Sequence, residues 1–147
     1  MASFPSALFL REAEVRRGLE LMFAGQGALA RAVESTLGSA KLGRAHQRAL
    51  YFVGRHPDET VGALLTRLGI TKQSLNRVLN DLVERGFVEM RVGREDRRQR
   101  LLRLTETGKM LEAELFEAMR AHLAAAYAKA GQQAVGGFWA VLEGLAN

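Results

Sequence analysis

Between Thr60 and Thr105 the spacing of apolar residues changes period, and few arrangements accommodate that change in so short a stretch. Val61, Leu64, Leu65 and Leu68 recur at steps of three, four and seven, the spacing of one helix face. Thr60 is placed to cap that helix and Gly69 to stop it. Thr71 then offers a second cap, and Leu75, Val78, Leu79, Leu82 and Val83 repeat the spacing as far as Gly86. Beyond Gly86 the period falls to 2. Val88, Met90 and Val92 alternate with Glu89 and Arg91, as in a half-buried strand. Gly93 opens a polar stretch through Gln99, after which Leu102 and Leu104 flank Arg103 in a second strand. Two short helices joined by a glycine-containing turn, followed by a hairpin with a charged loop, describe a winged helix-turn-helix.

Longer helical patterns lie on either side. In residues 5 to 37, Leu8, Val15, Leu19, Met22, Leu29 and Val33 make an amphipathic stripe. Each glycine inside such a helix costs about 1 kcal/mol relative to alanine, so a bend or a close helix approach is expected at Gly25-Gln26-Gly27. A second helix over residues 43 to 55 buries Leu50 with Phe52 or Val53 and ends at His56-Pro57-Asp58. Thr105 caps a long helix reaching about Ala130, with the stripe Leu111, Leu115, Met119, Leu123 and Tyr127. Its early glutamates 112, 114 and 117 suit the positive end of the helix dipole. Gly131 breaks that helix, and a last one presents Val135, Phe138, Leu142 and Leu145. The expected fold class is mainly α with a small β-hairpin wing. It forms one domain over 1–147, with a winged helix-turn-helix lobe at 43–105 between flanking helices at 5–37 and 106–146.

Charge placement indicates a partner. The net charge is +5, and residues 60 to 105 hold ten bases against five acids, so the whole excess lies there. A concentrated excess points to a polyanion, here double-stranded DNA. The apolar face of the second short helix leaves Lys72, Gln73, Ser74, Asn76, Arg77 and Asn80 outward, and a helix fits the major groove with its N-terminal side chains at base edges. Gln73 and Asn76 carry the paired donor and acceptor that suit adenine, and Arg77 suits guanine or a phosphate. Thr71 and Ser74 can bond phosphate beside the helix N-terminus. The loop from Arg94 to Arg100 has four arginines, and such a tip suits the electronegative minor groove. Arg98 is the expected minor-groove residue, with Arg94, Arg97 and Arg100 as phosphate contacts or free surface. Asp96 repels DNA, so its expected task is to brace Arg98 through a two-pronged ion pair.

These motifs resemble the multiple-antibiotic-resistance regulator (MarR) family over most of the chain. The resemblance is strongest from Thr71-Lys72-Gln73-Ser74-Leu75-Asn76-Arg77 through Glu84-Arg85-Gly86-Phe87-Val88. It continues through Asp96-Arg97-Arg98 to Leu104-Thr105-Glu106-Thr107-Gly108, an Asp-x-Arg wing followed by Leu-Thr-x-x-Gly. Residues 47 to 57 resemble the PetP-type branch. The resemblance implies an obligate homodimer built from the terminal helices, paired winged lobes on a pseudo-palindromic operator, and a small-molecule effector pocket between the dimer helices and the DNA-binding lobe. The flanking stripes agree, because a small winged unit offers them little to pack against. Leu8, Val15, Leu19, Leu115, Met119, Leu123, Phe138, Trp139 and Leu142 are the expected dimerisation residues, with the two adjacent aromatics supplying area.

Other classes fall away. With no cysteine there is no disulfide scaffold, thiolate catalysis or peroxide-sensing thiol. His46, His56 and His122 lie on separate elements without a ligand partner at i+3 or i+4, so no metal or other cofactor is expected. His122 stands three residues from Met119, beside the dimer stripe, where a pH-sensitive role is open to it. No nucleophile–base pair or phosphate-cradling glycine loop supports an enzyme. No run of about 18 apolar residues exists to cross a membrane, and Arg11, Glu12 and Glu14 are unlike a secretory signal, so the expected location is cytoplasmic. The remaining alternative is an architectural protein that binds DNA without sequence preference.

Overall fold

A computed structural model describes residues 7–147. After a short 3-10 turn at Leu8–Leu10 come helices α1 (Glu12–Ala40) and α2 (Arg44–Arg55), strand β1 (Glu59–Thr60), and helices α3 (Val61–Leu68) and α4 (Lys72–Glu84). Strands β2 (Val88–Val92) and β3 (Arg100–Leu104) follow, then α5 (Glu106–Ala130) and α6 (Gln132–Ala146). The three expected threonine caps are all made. Thr60, Thr71 and Thr105 side chains accept from the amides of Ala63, Ser74 and Gly108, each three residues on, at 3.0–3.1 Å.

The core explains why the molecule has two unlike parts. Every buried hydrophobic among the described residues lies between Val33 and Leu115. The last turns of α1 supply Val33 and Leu37, and α2 supplies Ala49, Leu50 and Val53. Leu64 and Leu68 of α3 meet Leu75, Val78, Leu79 and Leu82 of α4, closed over by Val88, Leu102 and Leu104 from the sheet. Outside that span, α6 buries nothing, and Leu8, Val15, Leu19, Trp139 and Leu145 are exposed.

Some local expectations need correction or addition. The expected hairpin of β2 and β3 is present, and a third strand the sequence did not show joins it in the order β1-β3-β2, because Glu59 and Thr60 pair with Leu102 and Leu101. Two residues are too few to show a period, so β1 leaves no pattern in the sequence. Helix α1 continues through Gly25-Gln26-Gly27, and no other helix closes on these glycines: a Cβ at Gly25 would meet nothing within 4 Å, and one at Gly27 only Arg31 Nη1 at 3.3 Å. It begins at Glu12, with Leu8 in the preceding turn; the expected start near Pro5 lies outside the described residues. Val83 does not join the anchoring face of α4 but is 37% exposed, and Val92 is 52% exposed because β2 runs past the core into the wing. Finally, Leu115 belongs to this chain's own core at 2% exposure, so it is a packing residue and not one a partner reaches.

Candidate nucleic-acid interface

Helix α4 is held from behind and bare in front. Its four buried residues fix the roll of the helix, so Lys72, Gln73, Ser74, Asn76, Arg77 and Asn80 are all exposed. The Thr71 hydroxyl donates to Ser74 Oγ at 2.9 Å while accepting the Ser74 amide, which closes the first turn. The turn before it is set by Gly69, at φ 62. From α2, Arg48 donates to the Leu68 carbonyl at 3.1 Å and satisfies the end of α3, where the helix dipole is negative.

The wing tip is folded by its own polar atoms. The Gly93 amide donates to the Gln99 carbonyl and the Gln99 amide to the Asp96 carbonyl, at 3.0 and 3.1 Å. A Cβ at Gly93 would stand 2.6 Å from the Asp96 carbonyl oxygen, so only glycine allows this turn. Asp96 then braces Arg98 as expected: Nε donates to Oδ1 at 3.1 Å, Nη2 to Oδ2 at 3.2 Å, and the Arg98 amide to Oδ1 at 3.0 Å. The Arg98 side chain and backbone amide together hold the Asp96 carboxyl below its usual range. The Arg98 side chain nevertheless remains 91% exposed, so it is aimed without being covered. Arg100 donates to the Arg97 carbonyl at 3.2 Å, whereas Arg94 and Arg97 are exposed. Between wing and helix runs a groove of about 630 Å³, with Lys72, Asn76 and Asn80 on one wall and Arg98, Gln99 and Arg100 on the other.

Residues the sequence did not single out hold the base of this wing. Arg67 of α3 forms a two-pronged pair with Glu59 at 3.0 and 2.8 Å, which lowers the Glu59 carboxyl and raises the guanidinium. Arg103 does the same with Asp58, and Asp58, at φ 63, gives its amide to the Leu102 carbonyl at 2.8 Å. Both acids precede or occupy β1, so the missed strand is also where the missed ion pairs sit. Behind the wing, the Leu-Thr-x-x-Gly motif proves to be a joint. The Thr105 amide donates to the Phe87 carbonyl at 3.1 Å and its hydroxyl to the Gly86 carbonyl at 2.5 Å. Gly108 lies so close to the Phe87 carbonyl that any Cβ there would collide with it.

The expected dimerisation residues lie away from this face. Met119 and Leu123 are half-buried, and Met119 Sδ takes the Gln47 amide at 3.1 Å. Phe138, Trp139 and Leu142 are exposed on α6, whose Trp139 donates to the Tyr127 hydroxyl at 2.9 Å. Of the three histidines, His46 is committed elsewhere: its Nδ1 accepts the Gly43 amide at 3.2 Å and its Nε2 lies 2.9 Å from Asp81 Oδ2. No described helix is long and apolar enough to cross a membrane.

Comparison with known proteins agrees with this geometry. Residues 41–99 match the model described as MarR family. The chain is 49% identical over 138 residues to the HTH-type transcriptional regulator PetP of Rhodobacter capsulatus, covering 94% of this chain and 83% of that one. Among solved structures, FabT of Streptococcus pneumoniae, in complex with DNA, superimposes with a TM-score of 0.75 at 20% identity, over 88% of this chain and 92% of that one. NadR, in complex with 4-hydroxyphenylacetate, superimposes with a TM-score of 0.77 at 19% identity, over 98% and 99%. The wing bracing, the Thr105–Gly108 joint and the relative that spans nearly the whole chain lead to one assignment: the chain belongs to the MarR family of winged-helix transcriptional regulators, which are not enzymes.

Proposed function

We propose that this regulator acts as a homodimer on a pseudo-palindromic operator, with α4 in the major groove and the wing in the adjoining minor groove. The observation that carries the reading is the Asp96–Arg98 fork, which aims an exposed guanidinium across a groove from the polar row of α4. On this reading Gln73 and Asn76 contact base edges, Thr71, Lys72 and Ser74 contact phosphates, Arg77 contacts guanine or a phosphate, and Arg94, Arg97 and Arg100 flank Arg98 on the backbone. The exposed apolar side chains of the first turn, α1 and α6 support pairing with a second copy through Leu8, Val15, Leu19, Phe138, Trp139 and Leu142, joined by the half-buried Met119 and Leu123 of α5. A small-molecule effector modulates DNA affinity in this scheme, as the bound ligand of the similar protein NadR encourages. The setting is the cytoplasm, where the chromosome is.

The test is a duplex recovered from a random library by the purified protein, compared with unselected duplex at physiological salt. Sequence-specific binding predicts affinity about 10³-fold or more higher for the recovered duplex. Equal affinities would instead make the protein an architectural DNA binder. Arg98→Ala should weaken binding to every duplex by about 1–3 kcal/mol, the range of a lost charge-assisted contact. Gln73→Ala should relax preference at particular positions. An equal loss for Gln73→Ala on both duplexes would make that side chain a phosphate contact.

A further inference from the structure

The cluster around Asp81 and Arg85 takes no part in the DNA-facing surface, yet it joins α4 to α1. Helix α1 ends with Lys41 in the left-handed region at φ 55, where the Lys41 and Leu42 amides return to Gly38 and Leu37 at 3.1 and 2.9 Å. That closure leaves the carbonyls of Ala40 and Lys41 pointing away from the helix, and Arg85 takes both. Its Nη1 donates to the Lys41 carbonyl at 3.1 Å and its Nη2 to the Ala40 carbonyl. A guanidinium at a helix C-terminus also meets the negative end of the dipole. The Arg85 guanidinium carbon lies 5.5 Å from the centroid of the Phe87 ring, a cation–π distance that further limits where it can go.

One turn back on α4, Asp81 binds the other side of the same corner. Its Oδ2 lies 3.9 Å from Arg85 and 2.9 Å from His46 Nε2. Because His46 Nδ1 accepts the Gly43 amide, the ring proton must sit on Nε2, and His46 donates it to Asp81. Gly43 is the N-cap of α2. Asp81 of α4 and Arg85, which caps the C-terminus of α4, therefore grip both ends of the three-residue corner between α1 and α2. Helix α1 carries much of the bare apolar surface, and α4 carries the exposed polar row, and the Asp81 and Arg85 contacts tie the end of α4 directly to this corner.

We propose that Asp81 and Arg85 are positioning residues: a clamp that fixes the angle of α4 against α1 and thereby sets where the polar row meets a duplex. The inference rests on the reading of α4 as the DNA-contacting helix, but the clamp itself can be tested without DNA. The chain has no cysteine, so spin labels can be placed on Ser35→Cys of α1 and Asn80→Cys of α4, both exposed positions. Pulsed spin-resonance distances are measured in labelled protein diluted with unlabelled chain. A single narrow distance is expected with Arg85 present, a distribution about twofold broader with Arg85→Gln, and partial recovery with Arg85→Lys, which keeps a donor but loses the fork. Asp81→Ala, which removes the acceptor of His46 and leaves Arg85 in place, gives a second variant should Arg85→Gln fail to fold, and a broadened distance is expected there too. On the recovered duplex Arg85→Gln should lose about fivefold or more in affinity while random duplex changes little.

Unchanged distance distributions in both variants overturn the clamp. Broadened distances with equal losses on both duplexes overturn its positioning role. If the unaltered protein binds no duplex, the functional reading fails, and the positioning role falls with it, while the distances still report whether the clamp holds the helix.

Discussion

At the scale of single residues, the strongest constraints are close approaches and paired charges. Gly108 cannot carry a side chain without displacing the Phe87 carbonyl, so Gly108→Ala should destabilise the fold by about 1–3 kcal/mol, as overpacking does. A lower midpoint in urea unfolding checks this, and an unchanged midpoint would mean the joint is loose. The carboxyls of Asp58, Glu59 and Asp96 are held down by Arg103, Arg67 and Arg98 respectively. A lowered folded value stabilises fully above the ordinary value, 3.8 for aspartate and 4.5 for glutamate, and the gain vanishes as pH falls through the folded value. The protection factor of the Asp58 amide should therefore drop in that acid window, and Asp58→Asn should remove the dependence. Glu112 behaves oppositely. Desolvation beside Gly54 raises its carboxyl, so its ionised form opposes folding as pH rises through that raised value. Glu112→Gln should raise the melting temperature at pH 7 and leave it unchanged in acid; equal effects at both pH values would contradict the desolvation argument.

At the scale of elements, legibility followed how many residues each one gives the reader. Helices α3 and α4 have four apolar positions or more at helical spacing and a threonine cap apiece, and both were found with their turn. The Asp96–Arg98 brace was legible because an acid inside an arginine cluster needs a reason, and the two sit close enough in sequence for one to be inferred. Strand β1 and its ion pairs were not, since a two-residue strand has no period and Asp58 and Arg103 are 45 residues apart. Leu115, expected on the dimer stripe of α5, packs in this chain's own core; Met119 packs partly against the same core, and Leu123 and Tyr127 lie beside Phe138 of α6. The structure also ranks what holds α4. Thr71→Ala should cost about 1 kcal/mol for a lost cap, and Leu79→Ala about 2–5 kcal/mol for a core cavity. Comparable losses in chemical unfolding would show that the cap holds the helix as firmly as the packing does.

At the scale of the whole molecule, the buried hydrophobic residues stop at Val33 and Leu115 while the chain continues as helix with exposed apolar side chains on α1 and α6. A monomer would leave Phe9, Phe23, Trp139, Val141 and Leu145 facing water, more than scattered surface apolars require. Paired copies would cover such surface and set two α4 helices at a fixed spacing, the arrangement a two-fold operator needs. Trp139→Glu with Leu142→Asp should therefore dissociate the protein at micromolar concentration while the winged lobe keeps its fold by circular dichroism. Salt should govern binding steeply, with a log–log slope of roughly −0.9 per phosphate contacted. Sedimentation equilibrium, run first on the free protein and then with the duplex recovered from the random library, puts these claims to one measurement. The free protein should have twice the 16.2 kDa chain mass, with two protomers on each duplex. A 16.2 kDa species that leaves the duplex unbound at low ionic strength would overturn both the pairing and the DNA-binding reading.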